Sequence, residues 1–476
     1  MSSHEKMKRG QVDRSVNSIR FCLSFLMLLC ISSTSSAEKL ELAETYTNDL
    51  TFDCEATVTS KGDVFFTKSE DKKDREQLAA SASFRFLERR LPPAGRDALA
   101  FRAVRQFQST NLKTTVGAHL TDVTLPRDAN LIVSEGFREG IRHYSPNLKL
   151  TRDSLDLLEL PGDPLVLIGL LPLEPVEIED EWEPSDWVMQ MLTGIEAVES
   201  TELNCKLAAA NAVSAKVSFT GKVKGQRFGA NTEVDVRGTL IFDLRTSHIA
   251  KTQAIYNIKA DVGTVDPGLD LTVSSNLVRT VSAAKSPFTN ELFDAIPLDP
   301  AKNLLELEFS APEWGVQLAH DRNWHLYQAV IDAKDAAINK IQPVAIFRLV
   351  EHGSLVCQAN FSPKLNSAPG QIIPIEQFEA DIEKSLGKNF KSIADKEELT
   401  TPDGRTIYRV VTDGEQEYKG VKGSVMISMN WIYYLVTNNA GQQISFVFAV
   451  EEPLAEQLNK RDLEFVQGQR FTQKTR

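Results

Sequence analysis

The sequence predicts two folding units behind a cleavable leader. The first is mainly antiparallel β, a half-open curved sheet with short helices; the second is an α+β domain, an antiparallel sheet flanked by helices. Three observations carry this expectation. Strict two-residue alternation runs from Val213 to Leu244, it stops across a proline-bearing stretch at 284–302, and apolar residues at helical spacing appear beyond it.

The leader is read at 1–37. Lys6, Lys8, Arg9, Arg14 and Arg20 precede an apolar run from Phe21 to Ile31, which exits through small residues ending at Ala37. A basic segment, a short apolar run and a small-residue exit form the pattern of a signal peptide cut near Ala37, and the run is too short to span a bilayer as a helix. Cys30 follows Leu28 and Leu29 instead of a small residue, which argues against lipid attachment there. The remainder contains no transmembrane pattern.

The chain carries 53 basic and 65 acidic residues, and removing a leader with five and two leaves 48 and 63. A net charge near −15 favours solubility and opposes nucleic-acid binding, which needs basic surface. Hydrophobic residues make up 42%, enough for true cores. Beyond the leader only Cys54, Cys205 and Cys357 remain, so the chain is no disulfide scaffold. A Cys54–Cys205 bond and two buried free thiols both fit the sequence.

Residues 38–283 form the expected β-rich domain. Val213, Ala215, Val217, Phe219 and Val223 share one parity, and after a turn around Gly225 to Asn231 the pattern resumes with Val234, Val236, Leu240, Phe242 and Leu244. This predicts a long antiparallel hairpin with one face on a core. Ile255 to Val262 and Leu269 to Val278 continue the meander through a turn at Asp266, Pro267 and Gly268, and 83–91 and 100–110 suggest another strand pair. Thr151 is placed to cap a helix over 153–160, and Ser185 or Asp186 a second one through Met191. The linker is read at 284–302, around Pro287, Pro297 and Pro300.

In the second domain, 303–476, Ile375, Phe378, Ile382 and Leu386 lie on one helical face, with Gly387 as the stop signal. A further helix is expected from Pro453 through Leu454, Leu458, Leu463 and Val466. Strands are expected at 344–350, 354–360, 406–411, 424–429, 431–437 and 444–450, with a hairpin turn at Glu351, His352 and Gly353.

This half resembles the PsbP-like fold family, shared by an extrinsic subunit of photosystem II and a Ran-binding nuclear import factor. The resemblance covers about 309–471. It rests on Phe309-Ser310-Ala311-Pro312 with Trp314-Gly315, on the Arg348–Gly353 strand end, on the 376–386 helix, and on Trp431-Ile432-Tyr433-Tyr434-Leu435 before Phe446-Val447-Phe448. It implies a binding or accessory module and assigns no catalytic residue. The first half resembles, on 170–182 and the long hairpin, exported bacterial β-rich proteins of the LolA type.

Candidate chemistry is sparse. His320, Asp321 and His325 are close enough in sequence to suggest a metal site, yet they lack a third spaced ligand and no HExxH or paired-cysteine spacing occurs, so a solvated turn is the competing reading. The acidic loop with Glu177, Glu179, Asp180 and Glu181 could ligate a hard cation but lacks the Asp-x-Asp-x-Asp-Gly pattern. His352 and Cys357 have opposite strand parity, which disfavours a thiol–base pair. The expectation is therefore an exported, non-catalytic accessory or binding protein of the bacterial cell envelope, periplasmic or secreted, meeting a protein partner and using no cofactor. The alternative is a carrier of lipid or another apolar ligand in the N-terminal β cup; a second alternative is a hydrolase whose active site has no recognised motif.

Overall fold

Inward and outward residues alternate along β9 (Ser214–Arg227) and β10 (Ala230–Asp243), which pair from Arg227 opposite Ala230 to Ser214 opposite Asp243. This hairpin is the centre of a much larger sheet. The computed structural model describes residues 39–44, 50–66, 75–92, 100–137, 140–283, 286–332, 342–364, 368–371, 373–420 and 423–472. The leader and its cleavage near Ala37 lie outside the described residues.

The sheet's earlier strands are β1 (Thr51–Phe65), β2 (Arg75–Arg90), β3 (Arg102–Val116), β4 (His119–Val123), β5 (Leu131–Phe137), β6 (Gly140–Tyr144), β7 (Glu181–Trp182) and β8 (Ala197–Ala210). It is completed by β11 (His248–Ala260) and β12 (Gly268–Val281). The order is β6-β5-β3-β2-β1-β12-β11-β10-β9-β8-β7, with β4 beside β3. Among the described residues the path begins at β6 and finishes at β7 without closing on itself.

One face of this sheet is filled by α1 (Arg152–Leu158), α2 (Pro164–Leu167) and α3 (Asp186–Thr193). Leu155, Leu158, Leu165, Leu167, Met189 and Leu192 join Phe52, Val217, Leu240 and Leu277 in one core. The helices start where their chemistry allows. Thr151 Oγ1 accepts from the Ser154 amide, Asp163 accepts from the Leu165 amide ahead of Pro164, and Gly194 closes α3 in the left-handed region.

Beneath α2 runs a chain of buried charges. Arg105 donates to Glu88 at 2.8 Å and, bidentately, to Asp163 at 2.6 and 2.7 Å; Arg279 donates to Glu44 at 2.9 Å and to Glu88 at 3.2 Å. Glu88 is therefore shared by two guanidinium groups, and all five side chains are buried. Burial acts to raise the Glu44 and Asp163 carboxyls, but Arg279 and Arg105 override it and hold both below their ordinary values. Through Asp163, the same network fixes the start of α2 onto β3.

The second half begins with α4 (Asn290–Asp294) and α5 (Lys302–Leu305), then β13 (Leu307–Ala311), β14 (Val316–His320), β15 (Trp324–Val330), β16 (Val344–Glu351) and β17 (Ser354–Pro363). It continues through α6 (Ile375–Leu386), β18 (Phe390–Thr400), β19 (Thr406–Gly420), β20 (Gly423–Thr437), β21 (Gln443–Glu451), α7 (Ala455–Leu458), α8 (Arg461–Gln467) and β22 (Gln469–Phe471). Seven strands form a sheet in the order β15-β16-β17-β21-β20-β19-β18, and β13-β14-β22 form a small one.

This overturns the expected fold class, because the second half is mainly β and not an α+β domain with flanking helices. Two features of the chain account for the difference. The helix expected from Pro453 onward breaks into short pieces where Asn459 and Lys460 take left-handed backbone, with φ of 40° and 64°. The strands are also more extensive than the pattern implies, since 424–429 and 431–437 are one strand and β18 is too polar to show alternation.

Lys39–Arg476 form one compact unit, and the two large sheets meet through hairpin tips. Phe228 and Gly229 close β9–β10 with φ of 47° and 75°; His352 and Gly353 close β16–β17 with 48° and 76°. Positive φ at both central residues is the type I′ hairpin turn, whose twist suits the flanking strands. The tips touch: a Cβ on Gly229 would lie 2.0 Å from the Gly353 carbonyl oxygen, so neither glycine tolerates a side chain. The Phe228 ring meets His325 edge-on at 4.9 Å, and the Glu308 amide donates to the Leu150 carbonyl at 2.8 Å.

Asp163→Asn leaves Arg105 without half of its counter-charge in a dry site, so urea denaturation should show a loss of about 3–5 kcal/mol; a change below about 1 kcal/mol contradicts the network's role. The depressed Glu44 and Asp163 values also set a pH dependence. Their stabilisation is fully present above the ordinary carboxylate range near about 4 and is lost as pH falls through the lower folded-state values. Urea midpoints should thus fall as pH drops below about 4, in addition to the earlier decline that the buried neutral His143 and His325 set once pH falls below the unfolded histidine value near about 6.5, whereas a rise on acidification runs against this assignment.

Candidate functional site

Where α1, α3 and the tip of β9–β10 meet the β16–β17 tip, the packing leaves a cavity of about 650 Å³. Its volume is within the range of small-molecule sites. The apolar wall includes Leu155 of α1, Val166 of α2, Met191 of α3, and Val234, Ile258 and Val273 of the sheet. These strand residues lie on the inward parity of β10, β11 and β12, which is why the sheet presents an oily surface there.

The polar wall is rich in arginine. Arg142 comes from β6, Arg152 from α1, Arg227 from the β9–β10 tip and Arg322 from the loop between β14 and β15. Two of the four have close carboxylates: Arg142 meets Glu135 at 2.8 Å, and Arg227 meets Glu159 at 3.5 Å. Arg152 reaches only a loose contact with Asp156 at 3.8 Å and donates to the Arg322 carbonyl at 2.7 Å. Arg322 donates to the His143 carbonyl at 2.8 Å and to the Leu305 carbonyl, with no carboxylate within salt-bridge distance among the described residues; Asp321 and Glu159 act on it from farther off. Burial, reinforced by Arg142 and Arg152, lowers Arg322 to about 10, so it stays charged at neutral pH but at a cost.

Two histidines of the wall are neutral. Burial and the charges of Arg105 and Arg322 bring His143 down to about 3, while Ser134 Oγ holds its Nδ1 at 2.9 Å. Burial and Arg152 likewise bring His325 to about 3. Tyr256, also in the wall, is 2% exposed, and its hydroxyl has no hydrogen-bond partner among the described residues. That hydroxyl lies beside Gly162, another wall residue, where a Cβ would approach it to 3.2 Å. A second recess, about 570 Å³ over Gln106–Thr110 and Pro126, has Arg127 as its charged lining residue.

The residues singled out by sequence are placed otherwise. His320 is buried in β14 against Phe347 and Phe465, with Nδ1 on the Asp321 carbonyl at 2.8 Å; Asp321 accepts from the Asn323 amide; His325 faces Phe228. Among the described residues no three His, Cys, Asp or Glu side chains are arranged to hold a metal ion. In the acidic loop, Lys206 lies 2.6 Å from Glu179 and 3.7 Å from Glu181, and Asp180 accepts from the Glu177 amide. Trp182 ties that loop down by donating to the Leu170 carbonyl at 3.0 Å. Cys54, Cys205 and Cys357 are buried free thiols, each pushed up by burial, Cys205 to about 12. The cavity residues went unread because Arg142, Arg152 and Arg322 are polar residues of separate segments that only the fold brings together.

No family model matches the chain, and no curated protein matches it. Among solved structures, DynF from the dynemicin biosynthesis pathway of Micromonospora chersina is 6% identical, over 52% of this chain and 88% of that one, with a TM-score of 0.14. The outer membrane protein OprD from Pseudomonas aeruginosa is 7% identical, over 87% and 95%, with a TM-score of 0.11. Likenesses this slight carry no argument. Among the described residues no helix is long and apolar enough to cross a membrane.

An unpaired buried hydroxyl costs free energy, so Tyr256→Phe should leave the stability of the ligand-free protein unchanged or raise it by up to about 1 kcal/mol. A loss above about 1 kcal/mol in urea denaturation would show that the hydroxyl has a partner in the ligand-free protein.

Proposed function

We propose that this is an exported binding protein that holds one small ligand with an apolar body in the cavity between its two large sheets. The carrying observation is the cavity itself: about 650 Å³, with an apolar wall built by α1, α2, α3 and three strands of the larger sheet. Burying apolar ligand surface against that wall supplies the main driving force, at about 25 cal/mol per Å² removed from water. Two of the wall's histidines, His143 and His325, are neutral and Arg322 is charged, so the wall offers hydrogen bonds and fixed positive charge, a chemistry suited to holding a ligand. The reading follows the carrier alternative with one change: the site includes His325 and the His352–Gly353 tip from the second half, and is not confined to the N-terminal sheet.

Native mass spectrometry of the protein purified from its own envelope fraction, followed by denaturing extraction, tests this directly. One small molecule per chain is expected, lost in a Val273→Trp variant that fills the cavity and retains the wild-type circular dichroism. A chain that binds only a polypeptide, or that stays empty after incubation with a total lipid extract, contradicts it.

A further inference from the structure

The cavity's polar wall narrows the ligand class, and this step rests on the binding-protein reading above. We propose that the ligand is an amphipathic oxyanion, a single acidic head on an apolar chain, whose head is held by Arg322 and Arg152. Three observations converge on it. Arg322 is half-buried, close to Arg142 and Arg152, and has no carboxylate within salt-bridge distance among the described residues, Asp321 and Glu159 acting on it only from farther off. Arg152 spends one nitrogen on the Arg322 carbonyl and meets Asp156 only at 3.8 Å, while its Nε is buried without a partner. Tyr256 adds a buried, unpartnered hydroxyl in the same wall.

Buried charge is normally paired, because isolating it from water is costly. Here, two guanidinium groups without close acidic partners border an apolar cavity, an arrangement whose missing component is an anion with an apolar body. Arginine suits this role, since its planar fork matches a carboxylate or a phosphate. The backbone carbonyls that Arg322 already holds, those of His143 and Leu305, orient the guanidinium and supply no countercharge. Both the carboxylate of a fatty acid and the phosphate of a single-chain lipid satisfy this chemistry.

The test is isothermal titration of the mature protein with dodecanoate, dodecyl phosphate, dodecanol and dodecyltrimethylammonium, each below its critical micelle concentration. Both anions should bind at least about tenfold more tightly than dodecanol, the worth of one charge-assisted hydrogen bond, and the cation should bind more weakly than the alcohol. Stronger binding of dodecyl phosphate than of dodecanoate assigns the head to a phosphate lipid, and the reverse order to a fatty acid. Arg322→Gln should bring the anions close to the alcohol, and Arg322→Lys should keep most of the preference. Should Arg322→Gln fail to fold, Arg152→Gln takes its place with the same expected direction.

Equal binding of anions and alcohol overturns the oxyanion assignment while leaving the binding cavity standing. Binding of none of the four chains removes the reading on which the assignment rests.

Discussion

Glu88 sits between two arginines, and much of the larger sheet depends on that arrangement. It accepts from Arg105 on β3 and from Arg279 on β12, so one carboxylate ties together strands on either side of β1 and β2. Arg105 continues to Asp163, which starts α2, and Arg279 continues to Glu44 ahead of β1. With the groups desolvated, removing any partner leaves a charge that nothing else can satisfy, so the network behaves as a unit. Its structural product is the seating of α2, and with it the turn at Leu160–Asp163 that forms one side of the cavity.

The cavity follows from how the rest of the volume is filled. A sheet that ends at β6 and β7 without closing exposes an apolar face, and the three short helices cover most of it. What they leave is bounded by the second half, where two type I′ tips press glycine against glycine. Phe228 and His352 adopt left-handed backbone there, a conformation uncommon for residues of their size. Both line the cavity, so the strained positions coincide with the candidate site.

Much of this was legible in the sequence, and the limits are physical. The alternation from Val213 to Leu244 gives the β9–β10 hairpin, and Thr151 caps its helix as its side chain suggests. The charged network also left a trace. Arg105 stands between Ala103 and Phe107, and Arg279 between Leu277 and Val281, each on the parity that faces the core. Asp163 followed by Pro164 is likewise a readable helix start. By contrast, β18 carries charges on both faces and offers no period, and Asn459 and Lys460 break a helix without glycine or proline to signal it. Arg152 and Arg322 lie 170 residues apart and meet only because two sheets dock through their hairpin tips.

The central claim is that this junction is a seat for an amphipathic anion. A crystal structure of the protein soaked with dodecyl phosphate tests it most directly. The account predicts continuous density along Leu155, Val234 and Val273, with head oxygens within about 3 Å of the Arg322 guanidinium. An empty cavity, with the amphiphile bound only on an outer surface or closed out by inward movement of the wall residues, would contradict it.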